Sequence, residues 1–171
     1  AGIGRIYIGV IYDEIKKWLS NHAADGPVGV AFSAGIDSGA VFLLTNKAML
    51  ELRQSPSRLK AFTLSIEGGG EDLVQSRKFL RELDLDLFLE VIEVEYQDIN
   101  WKKAVKVVED YKALDIESAT MNLALLQGIR NRYPGWKYII AGEGGNENLK
   151  DYPIEENPEL TIKSVLNNLM L

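Results

Sequence analysis

The chain has 171 residues, 46% hydrophobic and 26% charged, the balance of one ordinary globular domain and not of a disordered, collagen-like or coiled-coil chain. Its 25 acidic against 19 basic residues give a net charge of −6, which disfavours non-specific binding to nucleic-acid phosphates. There is no cysteine and one histidine, His22, so disulfides, thiolate metal sites, iron–sulfur clusters and cysteine nucleophiles are excluded.

In chain order, residues 7–22 read as a helix, with Ile8, Ile11, Ile15, Trp18 and Leu19 recurring at spacings of three and four. Asp25-Gly26-Pro27 interrupts it. Val28-Gly29-Val30-Ala31-Phe32 is a short apolar run bounded by turn residues, a buried strand. A helix is predicted over 40–54, a strand over 59–66, a helix over 71–83 and a strand over 87–94. Two helices are predicted over 96–111 and 115–133, a strand over 137–141 and a final helix over 158–171. Strands alternating with helices predict an α/β domain: a parallel sheet of about four to five strands with helices on both faces. Trp18, Trp101 and Trp136 are expected to be packing residues, and His22 a helix-end residue. No apolar run approaches a membrane span, and the start shows no cleavage-type signal. The chain reads as cytoplasmic and as a single domain over residues 1–171, whole or part of something longer.

In parallel sheets ligands bind beyond the carboxyl ends of the strands, and three predicted strands end in Gly-rich polar segments, at 33–39, 67–72 and 142–147. In Ser33-Ala34-Gly35-Ile36-Asp37-Ser38-Gly39 a helix begins at about Ile36, so free N–H groups face a small-residue loop, an anion site. Without a Lys the loop is not the common P-loop. Asp37 beside phosphate implies a bridging Mg²⁺. The competing reading is that Ser33 and Asp37 only cap the helix. Glu143 and Glu147 suit a metal ligand, a ribose partner or a general base, or else an acidic turn. The Gly68-Gly69-Gly70 loop is expected to be mobile.

Residues 28–38 resemble the Ser-Gly-Gly-x-Asp-Ser loop of the N-type ATP pyrophosphatases, with Ala34 at the first Gly position. Ile139-Ile140-Ala141-Gly142-Glu143-Gly144-Gly145-Asn146-Glu147 resembles the Ser-Gly-Glu-Gly-x-Asp-Glu stretch of asparagine synthetases. Residues 62–66 resemble that family's second strand, and Tyr111 with 116–120 its pre-signature helix. Across residues 10–153 the chain thus resembles the synthetase domain of the asparagine synthetase family.

That resemblance implies an adenine nucleotide alpha hydrolase-like fold and ATP with Mg²⁺ as cofactors. The implied chemistry is activation of an unidentified carboxylate as its adenylate, pyrophosphate release and attack by an amine. Ser33, Gly35, Asp37 and Ser38 would then grip pyrophosphate, with Asp37 and Asn146 at the metal. Ala31 and Ile66 would flank adenine, Gly142 would lie against ribose and α-phosphate, and Glu143 would position or deprotonate the amine. Asn146 stands where the family has Asp, Glu117 where it has Arg, and Asn148-Leu149-Lys150-Asp151-Tyr152 where Gly-Gly-Tyr is usual. No glutaminase domain or later helices are matched, so the chain reads as a divergent, truncated member. Nitrogen would come from free ammonia, an amine substrate, or a glutaminase or other protein partner. A nucleotide-binding module of reduced catalysis is the first alternative. Another PP-loop ligase, such as a tRNA-modifying one, is the second, which the acidic charge disfavours.

Overall fold

The computed structural model describes residues 2–23, 25–109 and 111–143. Its elements are α1 (Gly2–His22), β1 (Val28–Ala31), α2 (Ile36–Glu51), β2 (Leu59–Ile66), α3 (Glu71–Glu82), β3 (Leu89–Val94), α4 (Trp101–Val108), α5 (Ala113–Arg132) and β4 (Tyr138–Ile140). The predicted helix at 158–171 lies outside the described residues.

The four strands form one parallel sheet in the order β3-β2-β1-β4. Val28 pairs with Leu59 on one side and Tyr138 on the other. Side chains alternate across a strand, and that alternation divides the core in two. Val28, Val30, Leu59 and Ala61 face a layer built from Leu19 and Ala23 at the end of α1, Phe42, Ala48 and Met49 of α2, and Leu80 of α3. Phe62, Ile92, Leu64 and Ile139 face the other way, onto Leu125 and Ile129 of α5 with Tyr133 and Trp136. Helices therefore cover both faces, as the alternating pattern predicts. Burying side chains such as Phe42, Phe62 and Leu19, all at 0% exposure, stabilises the domain by about 1.5–3 kcal/mol each.

The chain passes from β1 to β2 to β3 in one direction, then returns to place β4 on the far side of β1. The direction of winding reverses between β1 and β4. In open parallel sheets such a switch point opens a crevice beyond the strand ends.

Local chemistry corrects several boundaries. The predicted helix over 96–111 is a 3₁₀ turn at Tyr96–Asp98 followed by α4. Asn100 starts α4 by accepting from the Lys103 N–H at 2.9 Å, so a polar cap overrides an apolar period that ran through it. Glu109, at φ 53°, ends the helix. Residues 86–88 form a 3₁₀ turn before β3, which therefore starts at Leu89 and not at 87. Trp18 packs edge-on against Tyr138 and Trp136 edge-on against Phe62. Trp101 does not pack: it is 57% exposed, with the Lys102 ammonium 5.6 Å from its ring. His22 is exposed at the end of α1. Among the described residues no helix is long and apolar enough to cross a membrane.

Candidate functional site

The segment between β1 and α2 turns within four residues. Ala34 takes the left-handed conformation at φ 61°, one that a Cβ makes costly. This is the position where the resemblance has Gly. Gly35 is the N-cap of α2, and no side chain caps the helix. The cap-only reading of Ser33 and Asp37 is therefore not what the geometry gives. The Ser38 hydroxyl instead knits the loop together. It accepts from the Ser33 N–H at 3.3 Å, donates to the Gly35 carbonyl at 3.3 Å and lies 3.2 Å from the Ser33 hydroxyl. The first-turn N–H groups of α2, with the positive end of its dipole, are left for a ligand.

Beyond β2 the chain does not wander. Glu67 at φ 52° and Gly68 at φ 76° form a two-residue turn closed by the Gly69 N–H donating to the Ile66 carbonyl at 3.0 Å. Both central residues with positive φ make this a type I′ turn. Ser65 donates to the Gly69 carbonyl at 3.1 Å, and the Glu67 N–H to Val94 at 3.0 Å. The loop expected to be mobile contains a hydrogen-bonded turn. Gly70, at φ 122°, then delivers α3 with Glu71 and Asp72 in its first turn.

Beyond β4, Gly142 presses on the start of α2. A Cβ there would stand 2.7 Å from the Ser38 nitrogen and 2.8 Å from the Asp37 carbonyl carbon, closer than real Cβ contacts occur. Only glycine lets the two loops meet this closely. The next residue, Glu143, accepts at Oε1 from the Asn122 side-chain amide of α5 at 2.9 Å.

These segments enclose a cavity of about 640 Å³ at the switch point, within the roughly 300–1,000 Å³ of ligand pockets. One wall is apolar, from Ala31, Leu64 and Ile66 at the strand ends with Met121 and Leu125 of α5. Its lining is polar at Ser33, Gly35 and Ser38, in the loop and first turn that open α2. Asp37, Glu71, Asp72 and Glu143 also line it, and among the described residues no Lys, Arg or His does. No group of three His, Cys, Asp or Glu that could hold a metal ion exists among the described residues. A cavity of about 740 Å³ between β3 and α5 is bordered by Glu93, Glu95, Asp98 and Arg132; none of the sequence motifs reaches it.

The described residues expected to contact nucleotide, metal or amine come together here: Ala31, Ser33, Gly35, Asp37, Ser38, Ile66, Gly142 and Glu143 line one cavity. Asn146 lies outside the described residues. Glu117 is exposed on α5 and is not part of the lining. Sequence reasoning missed Met121, Asn122 and Leu125. Its one signal was Asn122, a polar residue set in the apolar run Met121-Asn122-Leu123-Ala124-Leu125.

The sequence profile described as asparagine synthase matches residues 13–167, most of the chain. The chain belongs to the asparagine synthase family. The comparison with curated proteins gives no match. The four-stranded parallel α/β domain agrees with the family's PP-loop domain, and membership supports ATP-dependent amidation as the general class of function.

Proposed function

We propose that the cavity takes ATP with Mg²⁺, and that the chain activates a carboxylate as its acyl-adenylate for amide bond formation. The observation that carries this reading is the contact of Gly142 with the first turn of α2, because it joins the two signature loops on a single cavity.

The polar lining suits a pyrophosphate group. Uncapped N–H groups of α2 meet the anion, and Ser33, Gly35 and Ser38 lie beside them. Ala31 and Ile66 flank adenine through their backbone groups, and the apolar side chains of Leu64, Met121 and Leu125 add a surface for the flat ring. Gly142, with no side chain, leaves room for ribose and the α-phosphate.

Four carboxylates around a polyphosphate would repel it. A divalent cation would resolve that conflict; Asp37 would hold it, and it would offset the charge of the phosphates. Asp37, a carboxylate in the first turn of α2 that lines the cavity, is the kind of hard oxygen donor Mg²⁺ takes. Asn146 is the second proposed ligand. When bound, Mg²⁺ supplies charge neutralisation on the phosphates.

In the proposed reaction a carboxylate oxygen attacks the α-phosphorus, the bond from that phosphorus to the bridging oxygen of the β-phosphate breaks, and pyrophosphate leaves. An amine nitrogen then attacks the acyl carbon, and AMP leaves. The α2 N-terminus and Ser38 hold the departing group, Glu143 receives or orients the amine, and rate comes from positioning and charge stabilisation. The test is ³¹P NMR of MgATP incubated with the protein and panels of carboxylates and amines. AMP with pyrophosphate is the expected pair of products; ADP with phosphate contradicts the reading. One observation favours a second reading, a nucleotide-binding module acting with a partner: no cationic side chain lines the described cavity. MgATP binding without turnover across both panels selects that reading.

A further inference from the structure

We propose that Asn122 is a positioning residue whose amide holds the Glu143 carboxylate as an oriented acceptor for a cationic amine. This rests on the function proposed above and names the nucleophile's chemistry.

Glu143 follows a three-residue strand and is exposed. By itself such a side chain samples several rotamers. Its backbone is fixed next door by Gly142 against α2, and its Oε1 is held by Asn122 Nδ2 at 2.9 Å, across 21 residues of sequence. The two anchors come from different elements, so the carboxylate's direction is set by the fold. An amide is neutral. It fixes Oε1 without cancelling the charge, as Lys or Arg in its place would, and among the described residues nothing else bonds the carboxylate.

The helix itself gives no reason for Asn at this position. Asn is among the poorer helix formers and Ala the best. The surroundings favour a cation: Glu71 and Asp72 from α3, neither assigned to the metal, line the same cavity as Glu143. A primary amine is an ammonium ion at neutral pH and is drawn toward such a field. The carboxylate can then accept its N–H groups and the proton it must lose before attack.

The test titrates the MgATP-loaded protein with methylammonium chloride by calorimetry and follows the Asn122 side-chain amide by ¹⁵N NMR. Saturable binding is expected, and Asn122→Ala weakens it about tenfold while MgATP affinity stays within about twofold. The amide signals of Asn122 shift in Glu143→Gln, with or without nucleotide. No methylammonium binding by the wild type, equal binding by Asn122→Ala, or identical Asn122 signals in wild type and Glu143→Gln each overturns the proposal. Failure of MgATP to bind instead overturns the nucleotide reading, and the NMR comparison, which needs no nucleotide, still judges the Asn122–Glu143 bond.

Discussion

Gly142 and Ser38 meet backbone to backbone: a Cβ on the first would stand 2.7 Å from the nitrogen of the second. The residues lie on opposite sides of the switch point, one after β4 and the other in the first turn of α2. Their contact sets the width of the cavity where the two loops converge.

Gly142→Ala tests that contact. The new methyl meets backbone atoms of Asp37 and Ser38, which cannot rotate aside, so the loops must part. Overpacking of this kind costs about 1–3 kcal/mol. The expected result is a lower unfolding midpoint and MgATP affinity reduced about tenfold or more. Gly135→Ala, where a Cβ would meet nothing within 4 Å, is the control and leaves MgATP affinity unchanged. Equal nucleotide affinity in both variants would contradict the role given to Gly142.

Ala34→Gly goes the other way. Ala34 holds φ 61°, and a left-handed residue with a Cβ is strained by about 1–2 kcal/mol. Glycine relieves that strain and loses only a methyl packed at the edge of the core and some unfolded-state entropy. Urea denaturation is expected to show a gain of about 1 kcal/mol. A loss of stability would mean the methyl's packing outweighs the strain.

Tyr12 carries a prediction for alkaline pH. It stands on α1 against α2, with the Lys47 ammonium 4.9 Å from its ring. Burial first, and then the Glu51 carboxylate beside it, push its phenol up to about 12. The folded protein therefore holds this proton more tightly than the unfolded chain, whose phenol titrates near 10. The stabilising contribution is complete below about pH 10 and is lost as pH rises from there through about 12. Denaturation of wild type and Tyr12→Phe from pH 8 to 11.5 is expected to show wild type losing stability relative to the variant above about pH 10. Parallel curves would contradict the assignment.

The sheet and the polar lining of the cavity were legible because their determinants are local. The apolar run Val28 to Phe32 contains the strand Val28–Ala31, and residues 33–38 carry their turn and helix start within a few positions. Asp37 and Glu143 could be named for the same reason, each following an apolar strand. Met121, Asn122 and Leu125 were not legible as site residues, because only the tertiary placement of α5 over β2 and β3 brings them to the cavity. Trp101 was misjudged on residue type alone, where exposure follows from the short α4 that the Asn100 cap begins. In the 67–72 loop Gly68 and Gly70 hold positive φ, a geometric use of glycine that a run of three does not reveal by itself.

Asp37 is proposed to hold the Mg²⁺ that accompanies a nucleotide in this cavity. Calorimetric titration of ATP into wild type and Asp37→Ala, with and without Mg²⁺, tests it most directly. Tight binding by wild type is expected only when Mg²⁺ is present, with about tenfold or greater weakening in Asp37→Ala, which removes the charged ligand. ATP binding that ignores Mg²⁺, or an Asp37→Ala variant that binds MgATP as wild type does, would contradict it.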